Sequence, residues 1–283
     1  MKVITTIREL QQVIQRTKKQ QNTIGFVPTM GFLHEGHCAL LKQARNENDI
    51  VVLSIFVNPL QFGPTEDLNR YPRDFDQDKK VAEKIGVDYL FHPSVSEMYP
   101  YEPSVTLAVN KRTDVLCGAS RPGHFDGVAT VLTKLFHIVQ PDKVYFGKKD
   151  AQQVAVVHGL VTDFNFPLEI ITVDTVREED GLAKSSRNVY LTAQERVQAP
   201  ILYQSLQKAV GMIHDGETVP DRLISSIEDM IRTETSGEID YVSILSYPQL
   251  EKVEQITEND IIIAIAVKFS KARLIDNIIL TRK

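Results

Sequence analysis

Residues 6–18 place Ile7, Leu10, Val13 and Ile14 at helical spacing, which predicts an amphipathic first helix. The apolar residues 24–27 read as a short buried strand, 28–31 as a turn, and the segment from Glu35 onward as a helix. Residues 49–57 are a near-continuous apolar run, as expected of a strand covered on both faces in a parallel sheet. Strand, helix, strand in this order makes a βαβ unit. The rhythm continues with a helix over 74–85, a strand over 87–91, a helix over 128–139 and a strand over 143–147. A helix over 151–161, with Asp150 as N-cap, and a strand over 168–173 complete it. Residues 117–125 hold too much Gly and Pro for regular structure and read as a functional loop.

Beyond Thr192, an N-cap candidate, the pattern changes to long amphipathic helices over 193–212 and 220–233, then strands over 241–245, 261–267 and 272–280. The expected fold is α/β, a Rossmann-like doubly wound parallel sheet with a smaller C-terminal α+β domain, divided as 1–175 and 176–283.

Composition narrows the class. The 283 residues are 42% hydrophobic and 24% charged, ordinary for a globular protein, and can bury a substantial core. A formal net charge of −5 gives no electrostatic footprint for nucleic acid. The two cysteines, Cys38 and Cys117, have no metal-type spacing and fit a reducing compartment. No signal-peptide pattern opens the chain, and the strongest apolar run, 261–267, is too short to span a bilayer. The expectation is a cytoplasmic protein that binds neither nucleic acid nor membrane.

Candidate chemistry starts at the first strand-to-helix corner. The opening N–H groups of a helix lack intrahelical partners and the dipole adds positive charge, so an anion such as phosphate is attracted there. His34 and His37 stand three residues apart, able to face one side of the helix mouth, with Gly36 between them. Their spacing is one residue short of the metalloprotease helix motif, so zinc is the weaker reading. Cys38 reads as a small buried residue rather than a nucleophile. Beyond the second strand, Asn58 and Gln61 lie where open α/β sheets bind ligands and suit hydroxyl or carboxylate recognition. Arg121, on the Gly/Pro-rich loop, could meet an anion. Gly147, Lys148, Lys149 and Asp150 form a second strand-to-helix corner, with Gln153 one turn inside the helix. Lys184, Ser185, Ser186 and Arg187 gather two cations and two hydroxyls, a set suited to a triphosphate and its departing pyrophosphate.

With these motifs in order, the chain resembles the pantothenate synthetase (pantoate:β-alanine ligase) family of the nucleotidyltransferase superfamily. The resemblance rests on Pro28-Thr29-Met30-Gly31 with His34-Glu35-Gly36-His37, Phe56-Val57-Asn58-Pro59 with Gln61-Phe62, and Tyr71-Pro72-Arg73. It continues through Arg121-Pro122-Gly123-His124-Phe125, Phe146 to Asp150 with Gln152-Gln153, Asp180 to Asn188, and Ala272 to Asn277. It implies activation of pantoate by ATP and Mg²⁺ as enzyme-bound pantoyl adenylate, attack by the amine of β-alanine, and a homodimer. It also implies that residues 1–175 bind nucleotide and pantoate while 176–283 act as a lid. Carried over by motif, Pro28, Met30, Gly31, Phe32, Leu33, His34, Glu35, Gly36 and His37 form the ATP corner, with His37 the proton donor. Gly147, Lys148, Lys149, Asp150 and Val176 hold the nucleotide, and Lys184, Ser185, Ser186 and Arg187 close over the phosphates. Gln61 and Gln153 hold pantoate, with Asn58, Tyr71 and Arg121 as further substrate-binding candidates. No metal ligands are assigned. Two other readings stand beside this one: another adenylyl or cytidylyl transferase of the same fold, and a nucleotide-binding regulator without catalysis.

Overall fold

The computed structural model describes residues 1–64, 66–257 and 260–281. The chain divides into two compact units: one of residues 1–110, 121–148 and 156–174, the other of 111–120, 149–155 and 175–283.

The first unit holds a six-stranded parallel sheet made of β1 (Lys2–Ile4), β2 (Ile24–Thr29), β3 (Ile50–Ile55), β4 (Tyr89–Phe91), β5 (Lys143–Gly147) and β6 (Glu169–Val173). The strands lie in the order β1-β4-β3-β2-β5-β6. The chain winds outward from β2 to one side and then returns to β5 on the other, so the order reverses between β2 and β5. In doubly wound sheets the ligand crevice opens at the carboxyl ends of strands at such a reversal. Helices α1 (Ile7–Lys19), α2 (Glu35–Glu47), α3 (Phe75–Ile85), α4 (Val95–Met98) and α6 (His124–Val139) belong to this unit. A core of Val27, Leu41, Leu53, Leu90 and Tyr145 joins the sheet to α2 and α3. Each fully buried aliphatic side chain of this kind contributes about 1.5–3 kcal/mol.

The second unit contains α5 (Leu116–Ser120), the first residues of α7 (Ala151–Asp163), α8 (Ala193–Gln198), α9 (Ile201–His214) and α10 (Pro220–Glu234). It also contains an antiparallel sheet of β7 (Glu238–Ser246), β8 (Ile261–Lys268) and β9 (Arg273–Leu280), in that order. Ile261, Ile263, Ile265 and Val267 of β8 enter one apolar cluster with α9 and α10, and Ile262 and Ala264 enter another with Leu116, Ala151 and Ala155. The strand is covered on both faces, which explains its unbroken apolar run. Among the described residues no helix is long and apolar enough to cross a membrane.

Several sequence expectations are corrected. Pro28 and Thr29 extend β2 instead of opening a turn. The β2–β5 ladder covers only Gly25 and Phe26, so no partner on that side needs the N–H that proline lacks. The segment 117–125 is not irregular: α5 occupies Leu116–Ser120, and α6 begins at His124, four residues before the expected start. The helix expected over 193–212 is two helices, α8 and α9, parted at Ala199–Pro200 because proline cannot donate to the preceding turn. Asp150, the expected N-cap, is not displaced: it ends a 3₁₀ turn, Lys148–Asp150, and stands immediately before Ala151, the first residue of α7.

Candidate active site

The corner after β2 is built from two consecutive left-handed residues, Gly31 (φ 83°) and Phe32 (φ 51°). A Cβ at position 31 would meet an Asp78 carboxylate oxygen and Ile55 Cγ2 at 2.9 Å, so the position also demands glycine sterically. Asp78, on α3, is 2% exposed and places one oxygen on the Phe32 N–H (2.8 Å) and the other on the Leu33 N–H (2.6 Å). Burial raises its carboxyl above the ordinary value, and the two amide hydrogen bonds only partly oppose this.

His34 is the N-cap of α2. Its Nδ1 accepts the Gly36 N–H (3.1 Å), and the His34 N–H donates to His37 Nδ1 (3.3 Å). The amides of Phe32 and Leu33, ahead of the helix, are thus taken by Asp78, and those of His34 and Gly36 by the two imidazoles. With each Nδ1 accepting an N–H, the neutral rings carry their protons on Nε2. The two rings lie 4.1 Å apart at 40°. Burial pushes the Cys38 thiol up, which suits a packing role.

After β3, the 3₁₀ turn Pro59–Gln61 carries the pantoate candidate Gln61, which is 9% exposed. Its Nε2 lies 3.1 Å from Met30 Sδ, which joins it to the histidine corner, and its Oε1 accepts from Asn58 Nδ2 (3.2 Å). Asn58 also donates to Gly127 O (3.0 Å) and accepts from the Tyr99 hydroxyl (3.0 Å). Helix α6 touches this turn so closely that a Cβ on Gly127 would run into the Leu60 carbonyl. Arg121 reaches the Gln61 carbonyl (3.2 Å) but commits its guanidinium to both oxygens of Glu66 (2.8 and 2.6 Å). His124 Nδ1 also contacts the Gln61 carbonyl, at 2.8 Å. Tyr71 is buried, edge-on to Phe62. Asn58 and Arg121 thus fix Gln61 in place.

At the second corner, Gly147 ends β5, and Lys148 pairs with Asp174 (2.7 Å). Both belong to the first unit, as do Pro28, residues 30–37, Asn58, Gln61, Tyr71 and Arg121. Lys149, Asp150, Gln153, Val176 and Lys184 to Arg187 belong to the second. Among the described residues the Lys149 ammonium makes no ion pair and the Gln153 amide no hydrogen bond. The Lys149 carbonyl accepts from Asn277 Nδ2 (2.8 Å). Lys184 donates its N–H to Val176 O (2.9 Å) and pairs its ammonium with Glu178 (2.8 Å). Ser185 caps the 3₁₀ turn Ser186–Tyr190 by accepting the Arg187 N–H (3.3 Å). Lys149 and Ser185 line one small cavity with Asn188 and Asp276.

Sequence reasoning passed over Asp78, Asp276 and the Asn277 contact. For Asp78 a signal existed: with Phe75, Ala82 and Ile85 it occupies the inward stripe of α3, and an acid on an apolar stripe is a buried polar group needing partners. Among the described residues no three His, Cys, Asp or Glu side chains converge as a metal cage.

A family model described as pantoate-beta-alanine ligase matches residues 2–279. A pantothenate synthetase of Geobacillus sp. (strain WCH70) is 61% identical over 280 residues, 99% of each chain. One of Bacillus cereus (strain B4264) is 60% identical over 283 residues, 100% of each. The crystal structure of pantothenate synthetase from Thermus thermophilus superimposes with a TM-score of 0.93 at 45% identity, covering 98% of this chain and 99% of that one. A pantoate-beta-alanine ligase from Francisella tularensis, complexed with beta-gamma ATP and beta-alanine, gives a TM-score of 0.82 at 35% identity over 98% and 97% of the two chains.

Proposed function

The chain belongs to the pantoate-beta-alanine ligase family, and from that premise we propose how its own residues carry out the ATP-dependent condensation of pantoate with β-alanine. The pantoate carboxylate attacks the α-phosphorus of ATP, the bond to the bridging oxygen of pyrophosphate breaks, and pantoyl adenylate forms. The β-alanine amine then attacks the acyl carbon, AMP leaves with the C–O bond electrons, and the amine proton is released.

The first step brings two anions together, so donors must stand where charge develops on the phosphates. His34 and His37 supply Nε2–H groups from a corner that Asp78 and the paired imidazoles fix before ATP arrives. Lys149, Ser185, Ser186 and Arg187 supply the ammonium, hydroxyl and guanidinium donors, while Gly147, Lys148, Asp150, Val176 and Lys184 hold the nucleotide. Gln61 and Gln153 hold pantoate by its hydroxyls and carboxylate, and Asn58, Tyr71 and Arg121 act mainly by holding Gln61 and its turn. Mg²⁺ would accompany ATP, held mainly by the substrate's phosphates as is common for this ion, and would offset the negative charge that builds on them. The functional assembly is a homodimer, as the family resemblance implies, and sedimentation equilibrium checks it.

The observation that carries this reading is the reciprocal His34–His37 pair with both Nδ1 atoms occupied, because it aims two N–H donors from a preformed corner. The experiment is ATP–pyrophosphate exchange without β-alanine. Exchange that requires pantoate is expected; exchange indifferent to pantoate, or none, would refute an acyl adenylate on this enzyme.

A further inference from the structure

Strand β9 is an edge of the second unit's sheet, and its side chains alternate between two apolar clusters. Leu274, Ile278 and Leu280 pack with Leu202 and Leu206, whereas Ile279 packs with Ala151 and Ala155. Asp276 and Asn277 interrupt this run with polar side chains only 4% and 8% exposed. As neighbours on a strand they lie on opposite faces of the sheet.

Asp276 takes the Arg177 guanidinium on both oxygens (2.6 and 3.0 Å), and that guanidinium lies 3.5 Å from the Tyr203 ring centre. Arg177 begins a turn that folds back on itself through the Arg177–Ala183 bridge and delivers Ser185, Ser186 and Arg187. Asn277 donates from Nδ2 to the Lys149 carbonyl (2.8 Å), and its own N–H donates to Asp276 Oδ1 (2.8 Å). Two adjacent residues therefore grip the two segments that carry this unit's phosphate donors. An ion pair this buried adds little stability, because desolvation of both charges offsets their attraction. An apolar pair would suit the surrounding clusters better if packing were the only requirement.

We propose that Asp276 and Asn277 are positioning residues that set the distance between the Lys149 ammonium and the Ser185–Arg187 donors. This rests on the catalytic reading above and assigns β9 a part in it that touches no substrate.

The test is pantoate-dependent ATP–pyrophosphate exchange by the full chain, with Asn277→Ala, Lys149→Ala and the double variant. Pantoate-dependent exchange by the unsubstituted protein establishes the catalytic reading separately, so a failure there is distinct from a failure of the variants. Asn277→Ala is expected to lower kcat at least about tenfold with the pantoate KM within about twofold, and to add nothing once Lys149 is gone, as for residues acting as one unit. Losses that multiply in the double variant, or an Asn277→Ala kcat equal to that of the unsubstituted protein, would overturn the proposal. Should Asn277→Ala not fold, Asn277→Asp keeps the side-chain volume, removes the donor and is judged by the same criteria.

Discussion

Replacing Asp78 with Asn tests how the histidine corner is held. The carboxylate accepts two successive amides, at 2.8 and 2.6 Å, from residues in a turn that includes two left-handed φ values. Asparagine keeps one acceptor and turns an NH₂ toward the other N–H, so one buried amide is left unsatisfied, at about 1–3 kcal/mol, and the surviving bond loses its charge assistance. Removing the charge returns part of this, since burial already holds the carboxyl above its ordinary value. A net loss of about 2 kcal/mol follows, which for a chain of this size lowers Tm by roughly 3–4 °C. Because Leu33 leads directly into His34, pantoate-dependent exchange should fall at least about tenfold, a loss of transition-state stabilisation of about 1.4 kcal/mol. Thermal denaturation and exchange kinetics, with exposed Asp76→Asn as control, read both effects. An Asp78→Asn protein with unchanged Tm and unchanged exchange would show that the corner keeps its shape without the carboxylate.

The two lysines of the second corner should separate. Lys148→Ala, which removes an ion pair with Asp174 and a residue that holds the nucleotide, should raise the KM for ATP and lower kcat by less than about threefold, whereas Lys149→Ala should reduce kcat by about 10²-fold. Gln61→Ala should weaken pantoate binding by about 1–3 kcal/mol in calorimetry and leave the affinity for an ATP analogue nearly unchanged; equal losses for both ligands would point to a collapsed turn. Hydrogen bonds from the Thr192 and Ser270 amides hold the Glu195 carboxyl down at about 2. A lowered folded-state pKa gives stability that is complete above the unfolded value of about 4.3 and is lost as pH falls toward 2. Tm measured from pH 5 to pH 2 should therefore drop less steeply in Glu195→Gln than in the unsubstituted protein.

Much of this architecture was legible because each element's burial leaves a period in the sequence. The stripe of Ile7, Leu10 and Ile14 marks α1, and the apolar runs mark β3 and β8, which are covered on both faces. β1 escaped notice because Lys2–Ile4 is three residues long, too short for any period, and is defined by its pairing with β4. Pro200 was a visible break, overridden by strong amphipathic spacing on both sides. In the candidate site, local spacing gave the two histidines one face but not the partner atoms that fix their tautomers. Asp78 contacts Phe32 and Leu33 from 46 and 45 residues away, and Asn277 contacts Lys149 from 128 away, so no local pattern encodes those hydrogen bonds.

The central claim is that the pantoate carboxylate itself attacks the α-phosphorus of ATP, and isotope transfer tests it most directly. Pantoate labelled with ¹⁸O in both carboxylate oxygens is turned over with ATP and β-alanine, and the AMP and pyrophosphate are examined by mass spectrometry. Attack at the α-phosphorus, followed by displacement of AMP from the acyl carbon, places one labelled oxygen in each AMP and none in pyrophosphate. AMP without label, while pantothenate accumulates, would contradict the adenylate and with it the roles given to His34, His37 and Lys149.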